Sequence, residues 1–176
     1  MSKSISDTKI LAEAIVFIAL SIALYYTSRA YFPFLHLPQG GSVTLASMVP
    51  LLWFSLRRGT RWGLEACTIY GLVRILGGDL YYPAQILLDY PLAFGSLGLA
   101  GAFRSRPVLG VAVGITGRYV FHVISGLVFF QEYAWAGWNS IAYVFAYNAT
   151  FMVPELVVSA IIIAIIAQRK LIDIYI

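Results

Sequence analysis

The sequence predicts an all-α membrane protein with six transmembrane helices and both termini in the cytoplasm. Of its 176 residues, 60% are hydrophobic and 11% are charged, and the mean hydropathy is +0.82. This balance lies far outside that of a soluble globular domain. At about 20 residues per span, the length accommodates six helices and no second domain. We therefore expect residues 1–176 to form a single transmembrane domain of a multi-pass cell-membrane protein, surrounded by the lipid bilayer.

Apolar runs and their breakers define the six predicted spans. The first runs from Ile10 to about Tyr26, and the second from Ser42 to Leu56. Between them, Ser28–Gly41 contains prolines and a Gly-Gly pair, which is typical of a lid or connecting loop. The other four spans run from Trp62 to about Leu76, from Pro83 to just before Arg104, from about Val108 to Phe130, and from about Asn139 to Ala167.

Basic residues are distributed unevenly between the two sets of helix ends. One set carries Lys3, Lys9, Arg57, Arg58, Arg61, Arg104, Arg106, Arg169 and Lys170. The opposite loops contain Arg29 alone. Positively charged loops remain in the cytoplasm, so this asymmetry predicts that both termini are cytoplasmic. It also accounts for the net charge of +4 without a nucleic-acid partner.

Polar residues concentrate in the outer halves of the fourth, fifth and sixth spans. Three pairs spaced four residues apart each share a helix face: Gln85 with Asp89, Arg118 with His122, and Tyr143 with Tyr147. Asn148 lies beside the last pair. A charge within a span normally faces a partner or a cavity, so we expect an outward-facing pocket. Its carboxylate, imidazole, amide and aromatic rings suit a small, positively charged heteroaromatic ligand.

Structural interpretations of the same residues remain open. Trp135, Trp138 and Tyr133 would, by themselves, form an interfacial aromatic belt. Arg118 and Glu155 lie at similar depth and could form a buried ion pair without contacting a ligand. His122 alone would be interpreted as a hydrogen-bonded structural histidine.

Motifs for catalysis are missing from the sequence. A phosphate-binding G-x-x-x-x-G-K-[ST] loop and an H-E-x-x-H helix are both absent. His36, His122 and the lone Cys67 make a poor metal-binding set. Ser125 lacks the G-x-S-x-G context of a hydrolase nucleophile. We therefore expect binding rather than enzymatic activity, and no cofactor.

Four motifs resemble the thiamine-binding S component of energy-coupling factor (ECF) vitamin transporters. They are Leu37–Val43, Leu87–Tyr90, Arg118–Tyr119 with His122–Gly126, and Tyr147–Pro154. Any one of them is weak, but all four occur in the family's order across nearly the whole chain. The resemblance implies six membrane helices and a high-affinity thiamine site open to the outside. It also implies assembly with a transmembrane T component and two cytosolic ATPase subunits.

The resemblance implies roles for particular residues. Asp89 looks like the family's acidic residue at the thiamine cation or aminopyrimidine. The other matching pocket positions are Tyr90, Arg118, His122, Gly126, Tyr143 and Asn148, and Gln85, Phe130 and Trp135 complete the predicted ligand-binding set. On the first span, Ala19 and Ala23 fit an Ala-x-x-x-Ala face toward the T component, whereas an alignment anchored on Glu13 would place Ile15 and Ala19 there.

Two positions depart from the family pattern. Phe130 stands where some members have a stacking tryptophan, and Asp89 where some have glutamate. Phe130 can still stack, with a weaker cation–π interaction. These changes leave a thiamine precursor or phosphate open as the ligand.

The residues also leave open two functions that differ from that of a substrate-binding subunit. The first is a self-sufficient secondary transporter of a small cationic heteroaromatic compound, in which Asp89, His122 and Arg118 relay protons. The second is an intramembrane enzyme using Ser125 or His122, which the missing catalytic motifs disfavour.

Overall fold

The computed structural model describes residues 7–173. Lys3, one of the basic residues that predict the topology, lies outside this range. The main helices, in chain order, are α1 (Asp7–Tyr31), α2 (Val49–Arg58), α3 (Thr60–Arg74), α4 (Pro83–Phe103), α5 (Pro107–Phe129) and α6 (Ser140–Gln168). The described residues form no β-strand beyond an isolated bridge between His36 and Ser42. The predicted all-α class is therefore confirmed.

Helix length separates these elements into two groups. Within residues 7–173, α1, α4, α5 and α6 are each long and apolar enough to cross a membrane. The α2 helix has 10 residues and α3 has 15, which correspond to about 15 and 22 Å at the usual helical rise. Both are shorter than a hydrocarbon core of about 30 Å.

The α1–α2 connection differs from the prediction at both ends. Helix α1 continues to Tyr31, because neither proline nor glycine interrupts it before Pro33. The predicted second span begins as irregular chain over residues 42–48, where Leu45 and Ala46 have positive φ. Helix α2 starts only at Val49, with Pro50 in its first turn. Proline is favoured in the first turn because the backbone N–H that it lacks would have no intrahelical partner there.

Helix α4 is irregular where it carries its acidic residue. Leu88–Leu92 forms a π-helical turn that contains Asp89 and Pro91. Gly71 of α3 packs against this turn, where an added Cβ would lie 2.9 Å from the Cα of Pro91. Turns of this kind occur frequently at functional sites, and here the turn sets the direction in which the Asp89 carboxylate points.

Large apolar side chains fill the interior, and others cover the outside. Fully buried residues include Leu51, Phe54, Leu97 and Ile163. The outward faces of the long helices are also apolar, as Ile15, Val16, Val128 and Ile161 illustrate. A helix that is hydrophobic on every side is typical of a membrane span.

The basic helix ends gather at one end of the bundle. Glu13 of α1 pairs with Arg57 at 2.7 Å and with Arg58 at the end of α2, and Arg104 donates to the Arg57 carbonyl at 3.4 Å. At the other end, the α3–α4 connection meets the end of α5, where Tyr82 and Phe129 stack at 5.0 Å. Asp79 and Phe130 therefore belong to the same end of the bundle.

Candidate ligand-binding site

A cavity lies between α3, α4, α5 and α6 and is bordered by the α1–α2 connection. It contains nine of the ten residues that the sequence predicts to bind ligand: Gln85, Asp89, Tyr90, Arg118, His122, Gly126, Phe130, Tyr143 and Asn148. Residues far apart in the chain thus share one cavity. Their contact with a ligand stays a prediction.

The Asp89 carboxylate is the centre of a hydrogen-bond network. Gln85 Nε2 donates to Asp89 Oδ2 at 2.7 Å, and the Ser125 hydroxyl donates to the same oxygen at 3.0 Å. His122 Nδ1 lies 2.9 Å from Asp89 Oδ1. The Asp89 and His122 side chains are each 14% exposed. These three partners hold the carboxylate in place while it still borders the cavity.

The hydrogen bond from Arg118 determines the tautomer of His122. Arg118 Nε donates to His122 Nε2 at 3.3 Å, so that nitrogen is the acceptor. A neutral imidazole has one donor and one acceptor, which leaves Nδ1–H to donate to Asp89. The guanidinium also lies 4.1 Å from the Phe94 ring centre and within 2.7 Å of Met48 Sδ. Arg118 therefore lies at the cavity wall with its charge stacked on a ring.

Glu155 has a different partner from the one that the sequence left open. Its Oε1 accepts from the Thr44 hydroxyl at 2.6 Å and from the Thr44 backbone N–H. Among the described residues, no ion pair within 4.0 Å joins Glu155 to Arg118. The carboxylate instead anchors the irregular segment that precedes α2, because it accepts an otherwise unpaired backbone N–H.

Aromatic rings form one side of the cavity. Tyr143 and Tyr147 lie 5.7 Å apart, and Phe151 packs edge-on against both Tyr147 and His122 at 5.8 Å. Such spacing is typical of interacting rings. The cavity lining therefore combines aromatic rings with the Asp89 network, which Phe151 contacts through His122.

The remaining predicted aromatic positions lie toward the cavity mouth. Phe130 packs edge-on against Tyr81 at 5.4 Å and borders the cavity. Trp135 does not line it; the indole is 43% exposed and packs at 5.2 Å against Tyr143. Trp135 therefore supports a lining residue from outside.

The segment predicted as a lid crosses the cavity and is tied to α6. The Gly41 N–H donates to the Tyr147 hydroxyl at 3.0 Å, and that hydroxyl donates to the Pro38 carbonyl. Gln39 and Gly40 adopt φ of 59° and 87°, and this left-handed turn directs Gly41 toward Tyr147. Glycine adopts such a φ without strain because it has no Cβ.

Several lining residues were missed by sequence reasoning. They are Tyr25, Thr44, Ser47, Tyr70, Arg74 and Phe94, all of which border the cavity. Thr44 and Ser47 lie in the segment predicted as helix. The sequence pattern there does not show that the chain is irregular or that these two side chains line the cavity. Arg74 carried a usable signal, since it is a cation within an apolar span like Arg118.

These features define a class of protein. Apolar membrane helices enclose a cavity with a carboxylate, a histidine and a ring of aromatic side chains, which is the architecture of a multi-pass membrane protein that binds a small molecule. A family model described as thiamine transporter protein (Thia_YuaJ) matches residues 11–174. The chain belongs to the thiamine transporter family.

Individual relatives agree with this assignment. The chain is 38% identical over 151 residues to the thiamine transporter ThiT of Bacillus subtilis, covering 76% of this chain and 78% of that protein. It is 25% identical over 140 residues to ThiT of Lacticaseibacillus paracasei, covering 68% and 70%. A solved structure of ThiT from Listeria monocytogenes superimposes with a TM-score of 0.80 at 25% identity, covering 95% of this chain and 98% of that one.

Three predictions are confirmed by these similarities. The resemblance to a thiamine-binding membrane family holds. The chain is a transporter-family protein rather than an enzyme, and it is a multi-pass membrane protein. The intramembrane enzyme considered for Ser125 and His122 is thereby excluded.

Proposed function

We propose that this protein captures thiamine with high affinity and supports its uptake across the cell membrane as the substrate-binding subunit of an ECF-type transporter. One observation carries the proposal. In a chain of the thiamine transporter family, the cavity is lined both by the hydrogen-bonded Asp89 carboxylate and by a series of aromatic rings. Thiamine is a flat cation with a hydrogen-bonding aminopyrimidine, and those groups complement it.

The proposed binding mode uses each wall of the cavity. Asp89 neutralises the cation or accepts from the aminopyrimidine, with His122 holding the carboxylate in place. Asn148 donates to the Val144 carbonyl at 2.9 Å, and its side-chain oxygen is proposed to accept from the ligand. Tyr143 and Phe130 stack on the rings. The full proposed site also includes Gln85, Tyr90, Arg118, Gly126 and, as support from behind, Trp135.

The proposed membrane arrangement has six spans, with both termini in the cytoplasm, and forms a single domain. Four long helices cross the bilayer by themselves. The short helix α2 completes its span with the irregular segment at 42–48, and non-helical backbone at membrane depth is tolerated where it is buried in protein or lines a cavity. Asp79 and Phe130 then lie at the outer end, and the cluster of Glu13, Arg57 and Arg58 at the cytoplasmic end.

The energy for uptake is proposed to come from partner subunits. The sequence lacks a phosphate-binding loop for ATP, so a transmembrane T component and two cytosolic ATPase subunits would supply it. Ala19 and Ala23 lie on an exposed face of α1. Small residues spaced by four let another helix approach closely within a membrane, which supports this face as the one that meets the T component.

Binding and uptake experiments test the two parts of the proposal separately. Purified protein alone is expected to bind thiamine below micromolar concentration with quenching of its intrinsic fluorescence; absence of a response to thiamine, its phosphates and its precursors would contradict the ligand assignment. Uptake into proteoliposomes is expected only with T component, ATPases and ATP. Uptake by this chain alone, driven by a proton gradient, would instead support a secondary transporter.

A further inference from the structure

Glu155 is a buried carboxylate in the middle of α6 that the proposed thiamine contacts do not use. Its side chain belongs to a residue that is 1% exposed and does not border the cavity. Thr44 donates to it twice, through the hydroxyl at 2.6 Å and through the backbone N–H. Both donors reach the same oxygen, Oε1. An ionisable residue within a membrane span is costly and normally has a function, and the partner of Glu155 is part of the cavity wall.

Thr44 connects Glu155 to a second lining residue. The Thr44 hydroxyl has one hydrogen, which it donates to Glu155, so it accepts from the Ser47 hydroxyl. The Ser47 backbone N–H also donates to the Thr44 carbonyl, at 2.8 Å. Thr44 and Ser47 are both buried and both border the cavity. The position of this part of the cavity wall therefore depends on Glu155.

The backbone that follows Thr44 has a shape that needs support from its surroundings. Leu45 and Ala46 have φ of 23° and 75°, and residues with a Cβ rarely adopt a positive φ. Such conformations persist only where neighbouring contacts impose them. Without the hydrogen bonds to Glu155, we expect residues 42–48 to sample other arrangements.

The face of α6 that carries Glu155 also forms part of the cavity. Tyr147 and Phe151 precede Glu155 by eight and four residues, so the three side chains share one side of the helix. Tyr147 and Phe151 border the cavity. This face holds the α1–α2 connection at two levels, because Tyr147 binds the lid segment and Glu155 binds Thr44.

We infer that Glu155 is a positioning residue for thiamine binding, which acts through Thr44 and does not contact the ligand. The inference rests on the proposed function, since it concerns the affinity of the cavity for thiamine. When only a fraction of the protein has the binding-competent wall, the apparent affinity falls in proportion to that fraction. The role requires a hydrogen-bond acceptor at Oε1. The other oxygen, Oε2, has no hydrogen-bond partner within residues 7–173.

Glu155→Met tests this role, because methionine nearly keeps the length of the side chain and has no oxygen to accept from Thr44. The thiamine Kd of this variant, measured by isothermal titration calorimetry on the purified protein in detergent, should rise about 10- to 30-fold. Glu155→Gln retains an acceptor oxygen and should bind thiamine at least about 5-fold more tightly than Glu155→Met does. Equal losses in the two variants would assign the effect to the charge of Glu155 and overturn the inference.

Hydrogen–deuterium exchange distinguishes positioning from packing. The Thr44 backbone N–H donates to Glu155, so it should exchange slowly in the unliganded wild type and at least about 10-fold faster in Glu155→Met. Saturating thiamine should restore slow exchange in the variant, because the ligand selects the ordered wall. Slow exchange in both unliganded proteins, or fast exchange in the variant that thiamine does not reduce, would overturn the inference.

Ser159→Ala is the matched control. Ser159 lies one helical turn after Glu155 on α6 and is fully buried. Its hydroxyl has no hydrogen-bond partner in the part of the chain that the structure describes. The thiamine Kd of Ser159→Ala should stay within about 3-fold of the wild-type value. A loss equal to that of Glu155→Met would assign the effect to packing of α6 in general and overturn the inference.

The outcomes separate failure of this inference from failure of the proposed function. If the wild type binds no thiamine, the proposed function is wrong and the inference falls with it. If the wild type binds thiamine and Glu155→Met loses less than about 5-fold in affinity, the inference alone is wrong. Should Glu155→Met fail to fold, Glu155→Asp decides, because it keeps the charge and withdraws the carboxylate from Thr44 by one methylene. A loss of about 5-fold or more in Glu155→Asp supports positioning, and a smaller loss overturns it.

Discussion

Replacing Asp89 by asparagine removes the charge at the centre of the proposed site while nearly preserving its shape. The carboxylate accepts from Gln85 at 2.7 Å and from Ser125 at 3.0 Å, and lies 2.9 Å from His122. In Asp89→Asn, one acceptor oxygen becomes an NH₂ group that faces these donors. The ligand cation also loses its counter-charge. Both effects weaken binding, and the second acts only when the ligand is present.

The expected loss can be estimated from the burial of the pair. Removing one partner of a buried, hydrogen-bonded charge pair costs about 2–5 kcal/mol of binding free energy. Asp89 is 14% exposed, so a value near the lower middle of that range, about 3 kcal/mol, corresponds to a roughly 150-fold higher Kd. Asp89→Glu retains the charge on a side chain one methylene longer and should cost less than about 10-fold.

Calorimetric titration with thiamine measures these changes, and the melting temperature of each variant in detergent reports its folding. Glu132→Gln is the matched control, because Glu132 is an exposed turn residue and its charge lies outside the cavity. An Asp89→Asn protein that melts like the wild type and binds thiamine within about 3-fold of it would refute the role given to Asp89. So would an equal loss in Glu132→Gln.

Three further variants test other parts of the site and the connection beside it. Gly126→Ala adds a Cβ that would lie 2.6 Å from Val144 Cγ1. This overpacking should cost about 1–3 kcal/mol of folding free energy and lower the melting temperature in detergent, and an unchanged melting temperature would show that α5 and α6 accommodate the added methyl group. Tyr147→Phe removes the hydrogen bonds to Gly41 and Pro38 of the lid segment, which are worth about 1 kcal/mol each. The dissociation rate of thiamine, measured by stopped-flow fluorescence, should rise about 5- to 30-fold. An unchanged rate would mean that the lid does not limit release. Burial and the Arg29 cation hold the pKa of His36 below its ordinary value. Neutral His36 therefore stabilises the folded protein above about pH 6.5, and this stabilisation is lost as the pH falls through the lowered pKa. The melting temperature of the wild type should therefore fall relative to that of His36→Gln on acidification, and parallel pH curves would contradict this.

Sequence reasoning succeeded where membrane physics restricts the possibilities. Polar groups within spans must gather around a partner or a cavity, and spacing by four puts such groups on one helix face. These two rules were enough to predict that Asp89, His122 and Asn148 would border a common cavity. These rules could not predict the direction of the Asp89 carboxylate, because it depends on the π-helical turn at Leu88–Leu92.

The missed features share a physical cause. Hydropathy does not distinguish a buried helix from buried irregular chain, so residues 42–48 were predicted as helix although Thr44 and Ser47 line the cavity there. Trp135, which the sequence analysis places in the ligand-binding set, is not among the residues that line the cavity. Its indole lies behind Tyr143 instead, a position set by the path of the α5–α6 connection.

A crystal structure of this protein with thiamine bound tests the central claim most directly. We expect one thiamine in the cavity between α3, α4, α5 and α6, with its aminopyrimidine or cationic ring within hydrogen-bonding or ion-pairing distance of Asp89 and its rings against Tyr143 and Phe130. Thiamine located outside this cavity, or within it but turned away from Asp89, would contradict the account.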